Sequence, residues 1–304
     1  MPRLLFLAPL IFLISCNARP DPDTPAPASP PVATKAYFGG ELPPYWYEGV
    51  AELTTYDLQQ ARYGELREGT AVLVQVSEDF LTDKQVKNDN YSNPNSTPIL
   101  KTNLFKRFTT GIYDYSLMSS VFTPTDVTTQ PRSLKVTTSV QDWCGQTFTQ
   151  LNYGGGEVYA MELRSYFERE GDVDTELEID FLEDEVFNRI RIGGDLPQGE
   201  FRVLPATGYL LMTHQPYEAA RATASVMDEG GTRRYVIDYP ELRRRLEVTF
   251  DAASPHVIRQ WTETYPSRGE VLTTKATLRE QRREPYWEQN AVADEPRRAE
   301  LGLD

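Results

Sequence analysis

Histidine and cysteine are scarce, with two of each in 304 residues. Two histidines, His214 and His256, exclude a His-rich metal centre, and no Cys-x-x-Cys pair offers thiolates instead. No metal site and no cofactor are expected. A basic surplus is also missing. The 31 Lys and Arg face 45 Asp and Glu, for a net charge of −14. A nucleic-acid partner, which leaves a basic footprint, is therefore excluded. The arginine runs at 243–245 and 282–283 are flanked by Glu241, Glu247, Glu280 and Glu284 and read as solvated charge. There is no phosphate-cradling Gly-rich loop. No apolar run is long enough to span a bilayer comfortably.

One short apolar run does exist, at residues 4–14, behind Arg3 and ahead of Ser15-Cys16. A basic start, a short apolar stretch and a small residue before the cut are the layout of a secretory signal. The tetrad Leu13-Ile14-Ser15-Cys16 resembles the lipobox of bacterial lipoproteins. That resemblance implies that Cys16 becomes the first mature residue, carrying a diacylglycerol thioether and an N-acyl chain such as palmitate. Each buried methylene contributes about 0.8 kcal/mol, and two or three chains anchor stably. The alternatives are an ordinary cleaved signal and a short membrane anchor. Residues 17–35 are dense in proline, which favours an extended tether of about 3.1 Å per residue. The organisation expected is a signal at 1–15, a lipidated Cys16 and tether to 36, and a globular region at 37–304. The protein would sit in the cell envelope, lipid-anchored, most simply at the outer membrane, on its periplasmic or surface face.

The globular region reads as sequential strands. Residues 70–76 are rich in β-branched side chains. Residues 157–168 alternate, with Tyr159, Met161 and Leu163 on one face and Glu162 and Arg164 on the other. Tyr235, Ile237 and Tyr239 share a face, and Leu246, Val248 and Phe250 resume the pattern after Pro240. Residues 257–265 and 271–280 join through Pro266-Ser267-Arg268-Gly269. Further strands are expected at 47–58, 99–109, 112–122, 133–142, 146–152 and 200–213. One helix is expected over 182–192, with Leu182, Val186 and Ile190 in a stripe. Its acidic residues come first, its arginines last, and Gly193-Gly194 stops it. The fold class is mainly β: a large curved antiparallel sheet, barrel or half-barrel, with one short packed helix. Loop 83–98, polar and carrying two prolines, is either a lid or a surface excursion.

Residues 46–53, 61–65, 111–124, 141–145 and 182–185 together resemble an uncharacterised lipoprotein family of Bacteroidota. Some of its members carry the label of septum formation inhibitor, a name shared with cytoplasmic nucleotide pyrophosphatases. An export signal and the missing phosphate loop argue against that label. Residues 63–71 and 246–259 resemble DUF3108-like periplasmic β-rich proteins, a group likened to lipoprotein carriers that hold acyl chains in a concave sheet. Such a likeness concerns fold, and fold does not fix function.

Among single residues, Cys144 in Asp142-Trp143-Cys144-Gly145 has two readings. It is a nucleophile served by His214 or His256, or a small apolar residue packed under Trp143; packing is expected. His256 reads as a turn residue, and His214 lies near an element end. Pro44-Tyr45-Trp46 is echoed by Pro285-Tyr286-Trp287. With Trp143, these aromatics either form a platform for a sugar or acyl ligand or pack onto the sheet. Arg244 is in phase with Leu246, Val248 and Phe250. It points either into the concave side, toward an anionic headgroup, or out to solvent. The function expected is a non-enzymatic binding protein for an apolar or amphipathic ligand or an envelope partner. Its partners would be the membrane, through the lipid, and a lipid, glycolipid or envelope protein. A Cys144 hydrolase and a structural component of an envelope assembly are the alternatives.

Overall fold

The structure, a computed structural model, describes residues 42–193 and 196–303. The expected signal, Cys16 and the tether lie outside the described residues. Fifteen strands form one sheet: β1 (Ala51–Arg62), β2 (Glu65–Leu81), β3 (Val86–Lys87), β4 (Ser96–Thr110), β5 (Tyr113–Pro124), β6 (Lys135–Gln141), β7 (Gln146–Gly155), β8 (Val158–Ser165), β9 (Val173–Glu178), β10 (Gly199–Val203), β11 (Ala220–Asp228), β12 (Thr232–Tyr239), β13 (Arg244–Asp251), β14 (Ile258–Ser267) and β15 (Glu270–Glu284). The order is β10-β11-β12-β13-β14-β15-β1-β2-β4-β5-β6-β7-β8-β9, with β3 hung on β2. Every pairing within it is antiparallel. The mainly β class is therefore what the chain adopts.

Alternation decides which face each strand buries. In β8, Tyr159, Met161 and Leu163 are buried while Ala160 and Glu162 are exposed. In β13, Arg244, Leu246, Val248 and Phe250 are buried in phase. The inner faces merge into one large apolar cluster. Curvature follows from a single contact. Lys106 on β4 reaches Glu263 on β14 at 2.7 Å. Those strands stand four places apart, about 19 Å on a flat sheet at ~4.8 Å per strand. The sheet must curl to bring them together. Its two edges, β9 and β10, flank the segment between them, where Leu182 and Leu204 form a parallel bridge.

Two helices occupy the concave side. A 3-10 turn (Glu183–Glu185) leads into α1 (Val186–Ile192), whose C-cap Gly193 sits at φ +76° and donates to the Arg189 and Ile190 carbonyls. Glycine alone takes that left-handed cap without strain. The expected stripe of Leu182, Val186 and Ile190 is buried, but so are Glu183, Glu185, Asn188, Arg189 and Arg191. The strand expected over 200–213 is found only in its first part, as β10; the second helix, α2 (Thr207–Thr213), corrects the rest. Pro205 has no N–H to continue a ladder. The Asp184 carboxylate then accepts the Thr207 amide and hydroxyl, both at 2.9 Å, and caps the new helix. Gly208 lets α2 approach β5: a Cβ there would lie 3.2 Å from Leu117 Cδ1.

Strands β9 and β11 carry too little apolar alternation to stand out in the sequence. The 83–98 segment is shorter as a loop than expected, because β3 and the first residues of β4 pair with the end of β2. A short helix α3 (Arg297–Glu300) follows, and Leu301 packs on an apolar cluster containing Leu53 and Val74.

Candidate functional site

The concave side was the expected seat for a ligand, with Arg244 as the cation. Arg244 does point inward, but its guanidinium is spent. It bonds both oxygens of Glu183, which also accepts the Tyr239 hydroxyl, and it reaches Glu263 at 3.4 Å. Burial pushes the Glu263 carboxyl up, but Lys106 and Arg244 outweigh it and hold it below its ordinary range. Asn188 fixes α1 by donating to the Leu100 and Val121 carbonyls and to Thr123 Oγ1. Arg191 pairs with Glu52, and Arg189 with Glu185 at 3.2 Å. The cavity left beside Lys106, Glu263 and Asp184 is about 70 Å³. That holds a few waters, not the ~300–1,000 Å³ of a ligand pocket. Burial raises the Asp184 carboxyl in its wall to about 7, against the lowering effect of its bonds from Thr207.

Trp46 is buried too, in a 3-10 turn (Pro44–Trp46), against Leu42 and Leu100. The Arg191 guanidinium lies 5.0 Å from its ring. It packs, as one of the two readings expects, and is no platform. Tyr286 and Trp287 remain half-exposed.

An opening of about 580 Å³ lies at the seam between β9 and β10, lined by Glu176, Glu178, Glu218 and Arg202. Charge on open edge strands is the usual guard against edge pairing.

The mouth of the sheet is different. The antiparallel order places the connections 63–64, 111–112, 142–145, 166–172, 240–243 and 268–269 at one end. The 82–95 loop is at the other, so it is no lid over this cleft. A cleft of about 420 Å³ opens there, and it brings Cys144 and His214 to one place with Arg62, Tyr63 and Arg268. The two-residue turns Tyr63-Gly64 and Arg268-Gly269 have positive φ at both positions, the hairpin geometry that matches strand twist. Gly64 N donates to Ser267 Oγ at 3.0 Å and ties the two hairpins together. Tyrosine and arginine at φ +56° and +51° are costly choices for such positions, and strain of this kind gathers at functional sites.

Arg62 runs into the cleft from the end of β1. It donates to the Met212 carbonyl of α2 and, at 3.1 and 3.0 Å, to the Tyr63 and Tyr115 hydroxyls. Those phenols bond each other at 2.7 Å. Burial pushes the Tyr63 phenol up, but the Tyr115 hydroxyl and the Arg62 charge overcome it and leave it below its usual range. Burial, Tyr63 and Asp142 all push Tyr115 the other way.

Cys144 is exposed, correcting the expectation that it packs under Trp143. Trp143 is itself 69% exposed. The physical reason is the turn: Asp142 Oδ1 accepts the Cys144 and Gly145 amides at 2.6 and 3.2 Å, which turns both side chains outward at the tip. Burial raises the Asp142 carboxyl, and hydrogen bonds from Tyr115, Cys144 and Gly145 bring it below its ordinary range. His214, the left-handed C-cap of α2, places Nδ1 2.6 Å from Glu170 Oε1, with its ring 4.5 Å from that of Phe167. His256 is a turn residue at φ +57°.

Three neighbouring turn tips at this mouth carry exposed apolar side chains: Ile112 at 84%, Trp143 at 69% and Tyr166 at 68%. Trp143 lies 6.3 Å from Tyr113, which lies 5.8 Å from Tyr115. Sequence reasoning missed Arg62, Tyr63, Tyr115, Glu170 and Arg268 as a group. The available signal was the pair of X-Gly turns, which an antiparallel meander puts at one end.

No family model matches the chain, and no curated protein matches it. Among solved structures it is similar to one described as a beta-barrel-like protein of domain of unknown function DUF1849 from Brucella abortus. The likeness is 9% identity over 77% of this chain and 98% of that one, with a TM-score of 0.46.

Proposed function

We propose that this protein is a lipid-anchored envelope protein that binds an amphipathic ligand without transforming it, and that the mouth cleft is the seat. The observation that carries this reading is adjacency: a cleft of ligand size opens beside the exposed apolar tips Ile112, Trp143 and Tyr166. Monomeric surfaces rarely gather such side chains without a partner for them. The filled concave side moves the ligand from the sheet interior to its rim. The anchor rests on the Cys16 signal, and the resemblance to Bacteroidota lipoproteins supports the same address. The test is native mass spectrometry of the full lipoprotein taken gently from its membrane, with lipid extraction. A stoichiometric lipid or glycolipid, lost in a Trp143→Ser variant, is the expected result. A ligand-free mass with bound proteins would favour an assembly component instead.

A second reading, a hydrolase, is favoured by the meeting of Cys144 and His214 in one cleft with Glu170 on His214 Nδ1. Nucleophile, base and orienting carboxylate are the parts such chemistry needs. Against it, the Cys144 thiol is already engaged by the Asp142 carboxylate through a hydrogen bond. Acyl-ester hydrolysis abolished by both Cys144→Ala and His214→Gln would establish it.

A further inference from the structure

The four buried cations of the described residues, Lys106, Arg189, Arg191 and Arg244, each hold a carboxylate. Arg62 breaks this rule. Its guanidinium is largely removed from water, yet it is held by a backbone carbonyl and two neutral phenols. Arg268, exposed on its turn, likewise has no carboxylate partner among the described residues, only the Tyr63 ring 4.5 Å from its guanidinium carbon. Arg62 stands 4.2 Å from that ring centroid. The two cations are thus no more than about 9 Å apart, where like charges repel each other. The carboxylates around the cleft do not answer them. Asp142 is taken up by the Cys144 and Gly145 amides and by Tyr115, and Glu170 by His214 and Ser165. Glu241 stands on the rim and pairs with neither arginine.

We infer that the mouth cleft receives an anionic head group, a phosphate or carboxylate, between Arg62 and Arg268. This rests on the proposed binding function and names the ligand class. A bound oxyanion supplies the missing counter-charge to both guanidiniums, whose planar donors suit phosphate and carboxylate alike. The apolar tips alongside receive the tail of an amphiphile. A free anion would use the same two arginines and leave the tips bare.

The experiment titrates the full chain, held in amphipol, with dodecyl phosphate and dodecyl maltoside below their micellar concentrations, and with inorganic phosphate. Trp143 fluorescence and calorimetry are the readouts. Dodecyl phosphate is expected to bind at least tenfold tighter than dodecyl maltoside and to weaken as salt rises. Arg268→Asn, an exposed change that suits the left-handed turn, should lose most of that preference. Arg62→Lys, which keeps charge but loses the planar fork, should lose part of it. Equal binding of the two dodecyl compounds would overturn the anionic head group and leave amphiphile binding standing. Binding of neither, nor of phosphate, would overturn both. Phosphate binding as tightly as dodecyl phosphate would identify a free anion as the source. Tight binding of dodecyl phosphate alone would identify an acidic lipid.

Discussion

Arg244 Nη2 lies 2.5 Å from Glu183 Oε1, across 61 residues of chain, and both side chains are almost wholly enclosed. This pair joins strand β13 to the first turn of the inner helical segment. Tyr239, Glu263 and Lys106 extend it into a chain of five side chains that reaches β4 on the other wall. The helices are therefore part of the barrel's interior and do not act as a loose cover over it.

Removing one member of that pair strands the other in a low-dielectric interior. Arg244→Met and Glu183→Gln should each lower stability by about 3–5 kcal/mol, while the double variant recovers part of the loss. Urea unfolding is the measurement, with the midpoint moving and the slope unchanged. Two single losses that simply add would mean the pair is not coupled.

Asp184 gives stability a pH dependence of uncommon sign. Its folded pKa of about 7 stands above the unfolded value near 3.8. Between those values the native state holds a proton that the unfolded chain has released, so stability falls as pH rises. The contribution is whole below pH 4 and gone above pH 7. Asparagine, like the protonated acid, can accept the Thr207 amide and donate to the Thr207 hydroxyl, without the charge. Asp184→Asn should match the parent near pH 4 and exceed it at pH 8 by roughly 2–4 kcal/mol. A difference between the two proteins that does not change with pH would contradict this.

The sheet was legible because alternation is local. Tyr159, Met161 and Leu163 announce their face within five residues, and Leu246, Val248 and Phe250 fix the phase of Arg244. The polar face of α1 was not legible. In sequence, Glu183 and Arg191 look like solvated charge, because the partners that bury them, Arg244 and Glu52, lie 61 and 139 residues away. The helix α2 was hidden for a related reason: its cap is supplied by Asp184 and not by its own N-terminal residues. The mouth is a product of topology. Cys144 and His214 were each visible, but only the antiparallel order brings their connections beside the Tyr63 and Arg268 turns.

The Tyr63–Tyr115 pair should show in a titration of tyrosine absorbance. The Arg62 charge and the shared hydrogen bond favour phenolate at Tyr63, while Tyr115 is driven to stay protonated. One tyrosine is expected to ionise ahead of the rest as pH rises. Tyr63→Phe should abolish that early step, and Tyr115→Phe should delay it by removing the hydrogen bond that favours it. An early step that survives Tyr63→Phe would assign it elsewhere.

The Cys144 thiol stands at the tip of the 142–145 turn, exposed at the cleft rim. Iodoacetamide should label it stoichiometrically in the folded protein, read by mass spectrometry of the peptide that carries it. A buried thiol would label only after unfolding, so the urea dependence of labelling separates the two arrangements. Cys144→Ala should change stability by no more than about 0.5 kcal/mol, as expected for an exposed position.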